Sequence, residues 1–168
     1  GQARTVTSMV GDNGISHAAI PLVNKGEVLV IDAGGYEDVA VWGAIMTHAA
    51  MARGIAGVVI DGGVRDIAEI RELGFPCYAR AQVPSGPHKG FGGIIDGPIS
   101  CAGCPVKPGD LVIGDDDGIA VVPLEWADDM LAASKEKLAQ EEETMKAIAE
   151  GKTSADILGI PAPEPIGG

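Results

Sequence analysis

The sequence predicts an α/β fold, because Val- and Ile-rich apolar runs alternate with stretches of helical periodicity over residues 5–74, and glycines mark most of the junctions between them. Strictly alternating strands and helices favour parallel pairing with right-handed crossovers. Thr5 to Val10 alternates like a strand, and Gly11-Asp12-Asn13-Gly14 is a turn into an apolar-periodic helix from Ile15 to Val23 that Asn24-Lys25-Gly26 stops. Glu27 to Asp32 reads as a buried strand, Ala33-Gly34-Gly35 as a loop, and Val39 to Ala52 as a helix apolar over most of its circumference. Arg53-Gly54 closes that helix with a cation and a C-cap glycine. Gly57 to Ile60 is a short strand, and Ile67 to Leu73 a short helix closed by Gly74.

The second half has a different rhythm. Pro84 to Gly109 is rich in glycine and proline and holds one expected strand, Ile94 to Ser100. Leu111 to Gly114 and Ile119 to Val122 flank Asp115-Asp116-Asp117-Gly118, and an Asp-Gly turn is hairpin chemistry. Leu124 to Glu150 reads as one long amphipathic helix of Ala, Lys and Glu with a solvated charged face. Residues 151–168, with Pro161-Ala162-Pro163-Glu164-Pro165, read as a tail on a single domain spanning 1–168.

Composition excludes several classes. At 168 residues the chain can bury a core without disulfide or metal staples. A net charge of -12 repels nucleic-acid backbones and anionic membranes, so neither is an expected partner. No apolar run is long enough to cross a bilayer and no signal peptide opens the chain, which makes the cytoplasm the simplest address. Three cysteines, an odd number, read as reduced thiols.

Several motif-like spellings are discounted as cofactor or metal sites. Cys101-Ala102-Gly103-Cys104 has CxxC spacing, but a structural zinc wants four ligands and only Cys77 and His88 remain; a glycine turn with two buried thiols is the expectation. Gly34-Gly35 does not complete a dinucleotide fingerprint, and the Asp115–Asp117 turn lacks the distal glutamate of a calcium loop. No GxSxG elbow is present. His17, His48 and His88 read as surface or packing residues.

One stretch stands apart: Ile60-Asp61-Gly62-Gly63-Val64-Arg65-Asp66-Ile67-Ala68-Glu69. A guanidinium beside a carboxylate can hold an anionic substrate and a divalent cation together. Side chains of adjacent strand residues point to opposite faces, so Arg65 and Asp66 serve one site only if they lie beyond the strand, on the turn into a helix. Asp66 with Glu69 also has the form of a capping box, a purely structural role. The two are compatible, since a helix N-terminus also favours anions.

This stretch resembles the RraA-like family when taken with Val41-Trp42-Gly43-Ala44-Ile45-Met46-Thr47, Ala52-Arg53-Gly54, Lys107-Pro108-Gly109-Asp110 and Asp115-Asp116-Asp117-Gly118-Ile119 in the same order. Within the family it is most similar to the 4-hydroxy-4-methyl-2-oxoglutarate / 4-carboxy-4-hydroxy-2-oxoadipate aldolases. The resemblance implies a three-layer β/β/α sandwich of the swivelling-domain type, in trimers or hexamers. It also implies a chain that begins inside the family's domain, since members carry a further N-terminal segment.

By the same resemblance Arg65 binds the pyruvyl part of a 2-oxo acid substrate and acts in catalysis, Asp66 anchors Mg²⁺ or Mn²⁺, and Gly43, Ala44, Ile45 and Met46 supply backbone amides to the substrate. Ala44 departs from the family, which often has an acid there; other carboxylates, such as Glu69 or Glu141-Glu142-Glu143 of an adjoining subunit, could compensate. The implied reaction is metal-dependent cleavage of a 4-hydroxy-2-oxo acid to pyruvate and a second 2-oxo acid, with oxaloacetate decarboxylation as a second activity. No lysine in these motifs offers a Schiff base. The namesake branch implies the alternative, a non-enzymatic regulator that binds a ribonuclease.

Overall fold

The computed structural model describes residues 1–162. Its central feature is a mixed five-stranded sheet of β1 (Ala3–Ser8), β2 (Val28–Trp42), β3 (Gly57–Val64), β4 (Cys77–Gln82) and β5 (Gly93–Ile95), in the order β4-β3-β2-β1-β5. The first four strands run parallel, linked through α1 (Gly14–Ala19), α2 (Ala44–Arg53) and α3 (Ile67–Glu72), and β5 is antiparallel to β1. The alternation seen in the sequence is therefore a run of βαβ units.

Each face of the sheet carries its own core. Leu29 and Ile31 of β2 and Val58 and Ile60 of β3 face Ala19, Met46, Ala50 and Ile70 from the helices. The intervening Val28, Val30 and Val59 pack against Ile99, Cys101, Val106 and Val112. This is the period-two alternation of a strand buried on both sides. Each fully buried Leu, Ile or Val contributes about 1.5–3 kcal/mol of transfer free energy. The second core is supplied by two hairpins, β6 (Ile99–Cys101) with β7 (Cys104–Val106) and β8 (Leu111–Asp115) with β9 (Gly118–Val122).

Several local expectations change, among them the strand expected to end at Ile60, which runs on through Gly62 and Gly63 to Val64, and the helix expected over Ile15 to Val23, which ends at Ala19 and gives way to a 3-10 turn over Ile20–Leu22. The strand at 28 does not stop at Asp32; it runs on to Trp42 through Gly34 and Gly35, both at positive φ, with register shifts after Asp32, Tyr36 and Ala40. Val39 to Trp42 is thus strand, and the helix begins only at Ala44, because a short run apolar on all sides has no period that separates the two states. The segment 94–100 is two strands, broken where Asp96 adopts φ 61. Edge strand β4, half-exposed and weakly patterned, and β7 gave no sequence signal. The C-cap at Gly54 is as expected, left-handed at φ 73.

Residues form two compact units, Gly1–Leu124 and Glu125–Gly168. In the second, α4 (Ala127–Ala149) has no buried residue, and residues 154–158 of the expected tail are a helix, α5 (Ser154–Leu158), with a Thr153/Asp156 capping box. The part of the tail from Pro163 onward lies outside the described residues.

Candidate functional site

Arg65 and Asp66 lie between the end of β3 and the start of α3, beyond the strand as a shared site requires. The N–H of Arg65 donates to the carbonyl of Trp42, 3.0 Å, which ties this junction to the one between β2 and α2. Asp66 sits in the left-handed region at φ 60, ψ 34. For a residue other than glycine that conformation costs of order 1–3 kcal/mol, and such positions cluster at functional sites.

The conformation corrects the capping-box expectation. Asp66 makes no side-chain cap to its own helix. Its Oδ2 accepts instead from the N–H of Ala44, 3.0 Å, the first residue of α2. Glu69 does not reach back either: its Oε1 meets Nε2 of His48 at 3.0 Å. His48 lies one turn after Ala44 and Glu69 one turn after Asp66, so the two contacts are successive rungs between α2 and α3. His48 is thus a pairing residue on the surface.

Gly43 is required for space rather than conformation, its φ of -166 being extended backbone. A Cβ there would stand 2.7 Å from Asp66 Oδ2 and 3.1 Å from Arg65 Cγ. Arg65 Nε lies 3.7 Å from Asp66 Oδ2, with both side chains partly exposed. At the head of α2, Thr47 N–H is the first to find a helical acceptor, the Gly43 carbonyl at 3.0 Å. Ala44 N–H is taken by Asp66, so the N–H groups of Ile45 and Met46 remain without intrahelical acceptors at the positive end of the helix dipole.

A cavity of about 260 Å³ opens beside this junction, lined by Gly43, Ile45, Met46, Arg65 and Asp66 together with Asn13, His17 and Lys89. Arg65 and Asp66 also line a second, more open depression with Gln82 and Pro84. The last three cavity residues were not among the expected site residues. Asn13 donates from Nδ2 to the Val41 carbonyl at 3.1 Å, while its Oδ1, shielded from solvent, has no partner among the described residues. His17 is held below its ordinary pKa by burial first and by the charge of Lys89 second. Asn13 and His17 are four residues apart at the start of α1, a spacing legible in the sequence; Lys89 lies in the glycine-rich loop, where nothing marks it.

Asp12 holds that loop. Its fully buried carboxylate accepts from the N–H groups of Gly14 at 2.8 Å, Gly90 at 2.7 Å and Phe91 at 3.2 Å. Burial pushes its pKa up, but these three donors and His88 outweigh it and bring the carboxyl below its ordinary value.

The remaining candidates fall elsewhere. Among the described residues no group of three or more His, Cys, Asp or Glu side chains could enclose a metal ion. Asp115 to Gly118 forms the hairpin turn between β8 and β9. Cys101 is buried but Cys104 is exposed, which corrects the expectation of two buried thiols, since the hairpin tip at Ala102-Gly103 projects Cys104 to the surface. No helix among the described residues is long and apolar enough to cross a membrane.

The chain is similar to several known proteins. A Halalkalibacterium halodurans protein, provisionally named a 4-hydroxy-4-methyl-2-oxoglutarate aldolase, is 39% identical over 150 residues, covering 89% of this chain and 71% of its own. The 4-hydroxy-4-methyl-2-oxoglutarate aldolase of Thermus thermophilus is 33% identical over 123 residues, covering 73% and 74%. A solved structure described as the RNA-processing inhibitor RraA from Thermus superposes with a TM-score of 0.69 at 33% identity, covering 73% and 74%. The model of the RraA-like family, described as aldolase/RraA, matches residues 1–121, and with these relatives it shows that the chain belongs to the RraA-like family.

Proposed function

We propose that this protein is a divalent-metal-dependent (class II) pyruvate aldolase that cleaves 4-hydroxy-4-methyl-2-oxoglutarate, or a related 4-hydroxy-2-oxo acid, to pyruvate and a second 2-oxo acid. One observation carries the reading: Asp66 is held in a strained backbone conformation that directs its carboxylate to the head of α2, beside Arg65 and into a cavity with a cation on another wall. Aldolase names among the relatives support it.

The donor set suits a hard cation. Asp66 engages Ala44 through Oδ2, which leaves Oδ1 without a protein partner among the described residues. Mg²⁺ and Mn²⁺ keep several waters and take one or two carboxylates, so a single aspartate is an adequate anchor. Bound there, such an ion would supply Lewis acidity at the substrate's 2-oxo group.

The chain's own residues do the rest. Arg65 grips the C1 carboxylate with its planar fork and faces the negative charge that develops on the 2-oxo oxygen as the C3–C4 bond breaks. The free N–H groups of Ile45 and Met46 and the α2 dipole favour the same anion. Lys89 suits the carboxylate at the far end of the substrate. His17 lines the same cavity with its pKa held below the ordinary value and its Nε2 3.4 Å from Asn13 Nδ2, which suits it to take the proton of the substrate's 4-hydroxyl. Oxaloacetate decarboxylation develops the same charge at the same place and is the second activity of this reading.

The proposal includes the three-layer β/β/α arrangement, supported by helices packed on one sheet face and hairpins on the other. It also includes a homotrimer or hexamer, in which the exposed Glu141, Glu142 and Glu143 of an adjoining subunit substitute for the acid missing at Ala44.

Pyruvate release, followed by coupled lactate dehydrogenase with Mg²⁺ and then with a chelator, is the test. Chelator-sensitive pyruvate from 4-hydroxy-4-methyl-2-oxoglutarate supports the reading; none from any branched 4-hydroxy-2-oxo acid or from oxaloacetate sinks it. The missing acid at Ala44 and the structure described as an RNA-processing inhibitor favour one alternative, a non-enzymatic regulator of ribonuclease activity. Inhibition of a ribonuclease by a protein inactive on every 2-oxo acid would select it.

A further inference from the structure

Cys101 and Cys104 are paired in register as the residues that close the β6–β7 hairpin, around a two-residue turn in which Ala102 has φ 52 and Gly103 φ 81. Opposed residues of an antiparallel pair project to the same face. Both cysteines accordingly line one apolar cavity of about 360 Å³ under the hairpins, on the opposite face of the sheet from the helices. Their environments differ: Cys101 is 6% exposed, whereas Cys104 opens to solvent. The hairpin tip is anchored, since Ala102 N–H donates to Asp61 Oδ2 at 2.7 Å and Asp61 is paired with Arg80.

We propose that Cys101 and Cys104 form a reversible dithiol, a site that low-molecular-weight disulfides oxidise to an intrachain bond. Opposed residues of a hydrogen-bonded antiparallel pair have Cα atoms about 5.5 Å apart, inside the roughly 4.4–6.8 Å range that disulfides span. Pro105, which has no N–H, occupies the next pair with Ser100, so Cys101 and Cys104 fall on the hydrogen-bonded rung of the ladder. Side chains stand wider apart on such a rung than on its neighbours, which makes the resulting bond a labile one rather than a permanent staple.

The steps balance. The exposed Cys104 thiolate attacks a sulfur of the external disulfide RSSR, forming Cys104–S–S–R and expelling RS⁻, which takes up the proton that Cys104 lost. Cys101 then gives up its proton and attacks the Cys104 sulfur; the Cys101–Cys104 bond forms, the second RS⁻ leaves and is protonated. Two thiols are oxidised and one disulfide is reduced to two RSH. Burial pushes the Cys101 thiol up to about 12, so the second step is the slow one and speeds up about tenfold per pH unit around neutrality.

Oxidised glutathione and the full-length protein test this, with intact mass and peptide mapping under non-reducing conditions. The native chain is expected to lose two hydrogens in mass, to keep no glutathione and to yield a cross-linked Cys101–Cys104 peptide that dithiothreitol reverses. Cys101→Ser is expected to stop at a glutathione adduct on Cys104, and Cys104→Ser to remain unmodified over the same interval. A lasting adduct on Cys104 of the native chain, an unchanged mass, or a disulfide-linked dimer would each overturn the proposal.

Discussion

The N–H of Ala44, the first residue of α2, donates to Oδ2 of Asp66, the residue that precedes α3. One carboxylate thereby caps a helix remote in sequence while its own helix starts without a side-chain cap. The arrangement separates two roles that the sequence confounds. A local capping aspartate can be replaced by asparagine or serine with little loss; a metal anchor cannot.

Asp66→Asn is expected to keep the amide contact, to hold the melting temperature within a few degrees of the parent, and to reduce pyruvate formation by about a hundredfold or more. Asp66→Ala adds loss of the α2 cap, costing about 0.5–2 kcal/mol. Calorimetry beside the coupled pyruvate assay resolves the two. Native-like turnover by Asp66→Asn would leave the residue a purely structural role.

Gly43→Ala tests the spacing of the same junction. The backbone accepts alanine, but the new methyl would meet the Asp66 carboxylate and the Arg65 stem. Neither neighbour is buried, so both can move aside, and the expected stability cost is only about 1 kcal/mol, at the low end for overpacking. Displacing a reacting group by about 1 Å costs roughly a hundredfold in rate. The expected result is a folded protein with kcat/KM reduced by that order; equal loss of fold and activity would assign Gly43 to packing alone.

How much of this was legible follows from particular residues. The strands at β1 and β3, the α2 C-cap and the β8–β9 turn depend on local chemistry that the sequence carries. Placement of Arg65 and Asp66 beyond the strand follows from the helix periodicity that begins at Ile67; the paired Gly62 and Gly63 do not end the strand, which runs on to Val64. The partner of Asp66 does not, because Ala44 lies 22 residues away and the contact depends on a left-handed Asp66 that no local rule selects. Trp42 reads as helix in the sequence because the apolar run from Val39 to Trp42 has no period that separates strand from helix. Lys89 is brought to the cavity by tertiary anchors, the buried Asp12 carboxylate 78 residues from Gly90 in sequence and the backbone bonds of His88 with Gly11 and Asn13.

Lys89→Met separates substrate recognition from enolate chemistry. Loss of an exposed cation facing a substrate carboxylate is expected to raise KM for 4-hydroxy-4-methyl-2-oxoglutarate by about tenfold, at the low end for charge-assisted bonds, while inhibition by pyruvate stays unchanged. A second readout does not depend on activity. Lys89 is a cause of the depressed His17 pKa, so its removal should move the His17 titration upward in an NMR experiment. A His17 titration that stays in place would show that burial alone holds it down.

Asp12 supplies the pH prediction. Its pKa is lowered in the folded protein, so across the window below the ordinary carboxylate value of about 4 the unfolded chain binds more protons than the folded one. Its stabilising contribution is therefore complete above about pH 4 and is lost as pH falls through the depressed folded value. Thermal melts between about pH 6 and 2 should show stability falling with acid. Asp12→Asn should be less stable at neutral pH, because the amide nitrogen cannot accept from the N–H groups that meet the carboxylate, at about 1–3 kcal/mol for an unsatisfied buried donor. The variant should also lose the Asp12 share of the acid slope, so its melting temperature should approach that of the parent toward pH 2. Parallel curves for the two proteins would mean that other carboxylates govern acid unfolding. Since Asp12 anchors the loop bearing Lys89, the variant should in addition show the raised KM of Lys89→Met, which links a buried structural carboxylate to substrate recognition.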